Sequence, residues 1–327
     1  MAFNFFNRFY YGKAGQADYT PDRLPANRRA LFFEMLRVRL GGLVGVNLLY
    51  LAFCLPALIW SFINLQVLVY ALQTEEQTSL SALSGMLSWY LLGMIPCLTL
   101  AGVGATGEMY VLRNWARDQH AFVLSDFKDA VKGNWRCGLA VGLINGLSLF
   151  LGYICYMFYG QMAAQSPLWL VPQMLSLTLC GVWWMMNMVI FPMMVTYDMK
   201  LGHLIRNSAI IVVARLPWSI LFLAGTVGVP VAVALLFFPY GALGITIIYL
   251  VIGFALTGFI YASYANSCFD KYLNPRIEGA QVGRGLRQAD EDEDLDQVED
   301  VYKRQLVRSI TGNGYIPSVS SQSAGTP

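Results

Sequence analysis

The sequence predicts an all-α fold: a polytopic membrane helical bundle with six transmembrane helices and both termini in the cytoplasm. Three observations carry that expectation. The first is composition. Of 327 residues, 56% are hydrophobic and 13% charged, and the mean hydropathy is +0.50, a balance that water-soluble domains rarely sustain. The second is the length of the uncharged runs. Residues 40–74, 77–107, 137–197 and 216–269 contain no Asp, Glu, Lys or Arg, and each exceeds the roughly 20 residues that cross a hydrocarbon core. The third is the placement of the cations. Seven Lys and Arg precede the first run, five lie in 113–136, three in 198–215 and seven follow the last run, which accounts for all 22. Lys and Arg gather in short cytoplasmic segments, so an even number of spans with both ends inside leaves no basic group stranded on the far face. The same arithmetic argues against a nucleic-acid binder, a disulfide-built secreted module and an ordinary soluble enzyme.

In chain order, residues 1–38 read as a cytoplasmic arm that is aromatic and basic. FNFFNRFYY sets rings beside Arg8 and Lys13, a mixture that settles at headgroup level, and no continuous apolar stretch there has the form of a cleavable signal. The transmembrane domain occupies 39–273. Its first span follows Arg39 in GGLVGVNLLYLAFCLPALIWSFINLQVLVYAL, too long at ~1.5 Å per residue for one perpendicular crossing of ~30 Å. Pro56, lacking an N–H, is expected to kink it. The second span runs from about Gly85 to Leu112. It carries Pro96 and the glycines of TLAGVGATGEMY, and Gly102, Gly104 and Gly107 are candidates for close helix approach or for a local break. Run 137–197 must fold back, and QMAAQSPLW at 161–169 divides it into spans near 138–160 and 170–196. FFPYG at 237–241 divides the last run into spans near 214–237 and 241–265. From Asn274 to residue 327 the composition turns to Gly, Gln, Ser and charge. Eight of the 11 residues 290–300 are acidic, which predicts a disordered, solvated cytoplasmic tail.

The structured inner connection is RNWARDQHAFVLSDFKDAVKGNWR, residues 113–136. Ser125 can cap a short helix with Asp126 in its first turn. Phe127, Ala130, Val131 and Asn134 then share one face, and Lys128, Asp129 and Lys132 the other. This is the candidate docking element for a partner, with His120, Ser125, Asp126, Phe127 and Asn134 as its contacts. LGHLIRNSAIIVVARLPW, 201–218, echoes it weakly: Lys132 stands near Asn134, and Arg206 beside Asn207. Two parallel hairpin repeats or coincidence would each produce that echo.

Within the spans there is little chemistry. Glu108 is the one carboxylate near a span interior, placed either to couple an ion or to reach the headgroups and pair with Arg113. Asn47, Asn64, Asn145 and Asn187 are expected to bond across helices. Trp183 and Trp184, with Asn187 among neighbouring methionines, are candidate ligand-facing residues, since rings stack on sugars or hold lipid. Adjacent tryptophans point in different directions, so at least one of them packs. No catalytic residue is expected. His120 and His203 stand singly without H-E-x-x-H, the six cysteines form no C-x-x-C pair, and Ser125-Asp-Phe-Lys128 lacks the companions of the S-x-x-K enzymes. No cofactor or metal is expected either, because Gly102-x-Gly104 follows a span where a nucleotide fingerprint needs a strand.

Three stretches carry a family resemblance. They are Asn47 in VNLLYLAFCLP ending at Pro56, Pro96-x-x-Thr99 through Gly104-Ala105-Thr106 to Glu108-Met109-Tyr110, and Ser125-Asp126-Phe127 to Asn134. In these the sequence resembles the YesL-like family of bacterial membrane proteins, whose biochemical function is unknown. The later spans match only in length and layout. The long amino-terminal arm, an insertion between the first two spans and the acidic tail depart from the pattern. The resemblance implies a multi-pass protein of the bacterial inner membrane, of a kind often encoded beside carbohydrate uptake or breakdown systems. Its expected role is accessory or regulatory, with membrane lipids, a membrane transport complex, a cytoplasmic regulatory protein or a second copy of itself as partners, and no nucleic acid. The competing expectation is a small secondary transporter with a solute or lipid site between helices, resting on Glu108, the glycine-broken second span and the repeat.

Overall fold

Asn27 starts the first helix. Its side-chain oxygen accepts from Ala30 N–H at 2.9 Å and its carbonyl from Leu31 N–H at 3.1 Å, meeting donors that a helix start leaves free. The computed structural model describes residues 24–74, 79–277 and 280–286. The arm up to Arg23, residues 75–78 and 278–279, and the tail from Arg287 onward lie outside the described residues. All the described helices belong to one unit, Pro25–Gly285.

Helix α1 runs Arg28–Thr74 and continues through Pro56. α2, Leu80–Trp115, is capped by Ser79, whose hydroxyl accepts from Ala82 N–H at 3.2 Å. α3 spans Val123–Ala163. A separate short helix capped by Ser125 does not form. The helix starts at Phe122, whose N–H donates to Asp126 Oδ2 at 2.9 Å, and Ser125 lies exposed in the first turn. The reason is that nothing between Ser125 and Cys137 stops a helix. Gly133 costs about 1 kcal/mol in a helix interior, and the cations there keep the segment out of hydrocarbon without interrupting its backbone bonds. Of the expected inner face, Phe127 and Ala130 are buried and Val131 and Asn134 half-buried, while Lys128, Asp129 and Lys132 are exposed.

A 3-10 turn at Pro167–Trp169 leads into α4, Leu170–Met194. α5, Leu201–Ala214, is apolar but too short to cross a bilayer. Pro217 opens α6, Leu216–Leu223, since its missing N–H is harmless in a first turn. A π-helical turn at Ala224–Gly228 joins α6 to α7, Val229–Leu236. α8, Tyr240–Ile248, passes through a second π turn, Tyr249–Gly253, into α9, Phe254–Tyr272. Six stretches are long and apolar enough to cross a membrane: Arg28–Gln73, Ser81–Trp115, Val123–Ala163, Pro167–Met194, Leu216–Leu236 and Tyr240–Arg276. There is no strand among the described residues. Outward faces are apolar as well, with Phe62 63%, Leu236 78% and Tyr240 82% exposed, a surface that suits lipid and not water.

Glycines set the tightest contact. A Cβ on Gly142 would stand 2.5 Å from the Leu98 carbonyl oxygen, one on Gly102 2.5 Å from that of Gly138, and one on Gly146 2.6 Å from Ile95 Cα. Gly138, Gly142 and Gly146 recur every fourth residue and line one face of α3, so the backbones of α2 and α3 touch, as small residues permit in membranes. The first and last spans meet through a different device. Asn47 donates to the carbonyls of Tyr249 and Leu250 at 3.1 and 3.0 Å and accepts from Ala255 N–H at 3.0 Å. A π turn displaces backbone groups from their i−4 partners, and in hydrocarbon the protein itself has to meet them. At the basic end of the bundle, Arg28 Nη2 pairs with Asp270 Oδ2 at 2.5 Å and Nη1 donates to the Ala116 carbonyl at 3.1 Å, tying α1, α2 and α9 together.

Candidate functional site

At that basic end the first turns of α3 stand beside the connection from α4 to α5, leaving a cleft of about 520 Å³. Asp126, Asp129 and Asn134 border it from α3, and Tyr197 and Asp198 from the connection. The helical spacing explains the α3 contribution, because residues three and four apart share a face. Asp126 is anchored by the Phe122 N–H, and Asn134 donates to the Ala130 carbonyl at 3.1 Å. None of the three aspartates has an ion-pair partner among the described residues.

The wall opposite α3 is held by a chain of bonds. The Tyr197 hydroxyl donates to Asn274 Oδ1 at 2.6 Å, Asn274 Nδ2 donates to Asp270 Oδ1 at 2.9 Å, and Asp270 holds Arg28. Arg117 Nε donates to Asn266 Oδ1 at 3.0 Å, and burial lowers its guanidinium below the usual arginine value although Tyr197 and Asp270 counter the shift. Burial pushes the Tyr197 phenol up to about 12, against the pull of the Arg117 guanidinium. An unfolded tyrosine ionises near pH ~10, so between that pH and about 12 the folded chain holds the extra proton. Stability therefore falls as pH rises through this window. Tyr197→Phe is expected to cost about 1 kcal/mol at neutral pH, one hydrogen bond's worth, and to flatten the alkaline fall of the melting temperature. An equally steep fall in the variant would assign the alkaline loss to other groups.

The sequence-derived candidates scatter over three environments. Asp126 and Asn134 border the cleft. Phe127 is buried against Gly107, where a Cβ would come within 2.8 Å of its ring. His120 and Ser125 are exposed and border neither this cleft nor the second cavity described below; the His120 ring meets Phe122 edge-on at 4.7 Å. Gly102 and Gly104 are packing positions, the first against α3 and the second against Phe53 of α1. These glycines serve close approach, and α2 is unbroken across them.

Glu108 is buried at 5% exposure, facing Gly258 of α9, and its Oε1 has no hydrogen-bond partner among the described residues. It does not pair with Arg113. That guanidinium lies 4.7 Å from the centre of the Tyr110 ring, because Glu108 turns inward toward α9 while Arg113 belongs to a different face of α2. Trp183 Nε1 donates to Asn145 Oδ1 at 2.8 Å, and Asn187 Nδ2 to the Trp183 carbonyl at 2.9 Å. Trp183 thus spans the α3–α4 interface. Trp183, Trp184 and Asn187 border neither cavity. Tyr197 and Asp198 escaped the sequence reading, although they directly follow the fourth span. The sequence places Asp129 on the outward side of the helix, which here is a cleft wall. Among the described residues no group of three or more His, Cys, Asp and Glu side chains is placed to hold a metal ion.

The six apolar spans define a multi-pass membrane protein of helical-bundle type. Residues 43–157 match the model of a family described as "Protein of unknown function, DUF624", a stretch that holds Asn47, the α2–α3 glycine contact and the α3 side of the cleft. No curated protein and no solved structure matches the chain.

Proposed function

We propose that the protein is an accessory or regulatory component of the bacterial inner membrane, with both termini cytoplasmic, that engages a cytoplasmic segment of a partner at the acidic cleft. The YesL-like resemblance favours a carbohydrate uptake complex as that partner. The observation that supports this reading is the cleft itself: Asp126, Asp129 and Asp198 border an open space and have no ion-pair partner among the described residues, on walls fixed by internal bonds. A basic or amide-bearing segment complements such a site. Its α3 wall continues unbroken into the membrane, so a docked partner bears on the same rigid helix that contacts α2.

Proximity labelling inside the cell tests this. A photo-reactive residue in place of exposed Lys132 is expected to give one defined adduct, which disappears in an Asp129→Lys background while the purified variant stays monodisperse. The same protein, purified and placed in vesicles, should move no solute. A second reading, transport, rests on Glu108, whose buried Oε1 has no hydrogen-bond partner among the described residues. Solute accumulation by the purified chain, lost in a folded Glu108→Gln variant, together with no adduct in the cell, would replace the accessory reading with that one.

A further inference from the structure

A second cavity, about 790 Å³, lies between the start of α1, the α6–α7 span and the α8–α9 span. We propose that it is a binding groove for one anionic glycerophospholipid of the leaflet on the basic side. This site is separate from the acidic cleft and does not depend on what the cleft binds.

Length is the first argument. The groove runs along α6 and α7 from Arg215 to Pro230, which at ~1.5 Å per residue is about 22 Å, half of the ~40–45 Å of a bilayer with its headgroups. It is therefore one leaflet deep. It also opens sideways, since Phe33 and Leu221 on its walls are 67% and 58% exposed.

Charge is the second. Arg28, Arg29 and Arg215 stand at one end. Arg28 is occupied by Asp270. Arg29 is exposed and has no ion-pair partner among the described residues. Arg215 donates through Nη1 to Ser267 Oγ at 3.0 Å and to Cys268 Sγ at 3.4 Å, and lies 5.7 Å from the Tyr264 ring centre; no carboxylate among the described residues forms an ion pair with it. Two guanidinium groups at the lip present the fork that matches a phosphate. A zwitterionic headgroup would bring its own ammonium to the same cations, so a net anion is favoured.

The polarity gradient is the third. Four residues below Ser267, Ser263 borders the groove, and its buried hydroxyl has no hydrogen-bond partner among the described residues. It sits about 6 Å deeper by helical rise, at the level where a glycerol ester would follow a phosphate. Beyond it the Thr226 and Tyr249 side chains are already bonded within the protein, Thr226 Oγ1 to the Phe222 carbonyl and the Tyr261 hydroxyl and the Tyr249 hydroxyl to the Thr226 carbonyl, and Thr257 adds one further hydroxyl to the wall. What remains is apolar wall, fit for an acyl chain and unsuited to a hydrophilic solute.

Any membrane groove fills with some lipid, so selectivity and stoichiometry decide the matter. The full chain is placed in lipid discs of equimolar phosphatidylglycerol and phosphatidylethanolamine, extracted gently and weighed by native mass spectrometry. One phosphatidylglycerol per chain is expected, enriched about tenfold over phosphatidylethanolamine, the scale of two guanidinium contacts at a membrane surface. Arg29→Gln with Arg215→Gln should bring the two lipids to parity. Gly225→Leu should reduce both, because Gly225 lines the groove and a Cβ there meets nothing within 4 Å, so the added side chain has room to occupy that space. If the double variant fails to fold, Arg29→Gln alone carries the test and should lower the enrichment about threefold, one guanidinium contact fewer. Bound lipids in the bulk ratio, or an enrichment left unchanged by loss of Arg29, would overturn the proposal.

Discussion

Gly142→Ala is expected to destabilise the purified protein by about 1–3 kcal/mol, the usual cost of forcing volume into a packed contact, and Gly142→Leu to leave no folded protein. The atoms met are backbone: Leu98 O at 2.5 Å, Thr99 O at 2.8 Å and Thr99 Cα at 2.9 Å. No side-chain rotation relieves them, so α2 and α3 must move apart along their whole seam. Gly133→Ala on the same helix is the control. A Cβ there meets nothing within 4 Å, and alanine should be neutral or add about 0.4–1 kcal/mol by removing glycine's unfolded freedom. Melting temperatures in one detergent compare the two directly. Equal effects at 142 and 133 would mean that the seam tolerates separation and that the glycines matter only through helix propensity.

Asn47→Leu is expected to have the other large effect, about 2–4 kcal/mol. Hydrogen bonds inside membranes average ~0.6 kcal/mol with a maximum near ~1.7, and Asn47 makes three of them to the π turn and the start of α9. Leucine keeps the volume and abandons all three groups. Asn47→Asp should be at least as harmful, since its carboxylate would face the Tyr249 and Leu250 carbonyls that now accept from the amide. Unfolding by SDS titration reads both variants. A leucine variant within about 0.5 kcal/mol of the parent would show that water or neighbouring backbone serves those carbonyls instead.

The spans were legible because the property that defines them, freedom from charge over more than ~20 residues, is local to the chain. Their division at 161–169 and 237–241 was legible for the same reason, as turn residues interrupt the apolar runs. Gly102, Gly104 and Gly107 announced close approach, yet the matching Gly138, Gly142 and Gly146 went unread although their four-residue spacing stands in plain sequence. They lie in a span otherwise unremarkable, and only α2's backbone gives their spacing a meaning. The inner connection shows the opposite failure. Charge at Lys128, Lys132 and Arg136 suggested a helix apart from the span, but charge decides where a helix sits and not where its hydrogen bonds stop. Trp183 looked free to face a ligand because Asn145, which takes its N–H, is 38 residues away. The π turns carry no residue signature at all, so the purpose of Asn47 could be read only as a generic amide bond. The acidic cleft was half legible: Asp126 and Asn134 lie on one local helix, whereas Tyr197 and Asp198 reach it through the packing of α4 against α9. The groove beside Arg215 draws its walls from the first and last thirds of the chain, and no local pattern contains it.

The pairing of Asn47 with residues 249–255 has a consequence in time. At about 5–20 residues per second, the pace of synthesis, roughly 10–40 s pass between the emergence of Asn47 and that of the carbonyls it will bond. For that interval the growing protein carries a polar amide within its first membrane helix and lacks the permanent partner for it. The last pair of spans therefore acts as a clasp, and a ribosome that stalls before residue 249 leaves behind an unclosed bundle whose unclaimed amide is a mark of incompleteness inside the membrane.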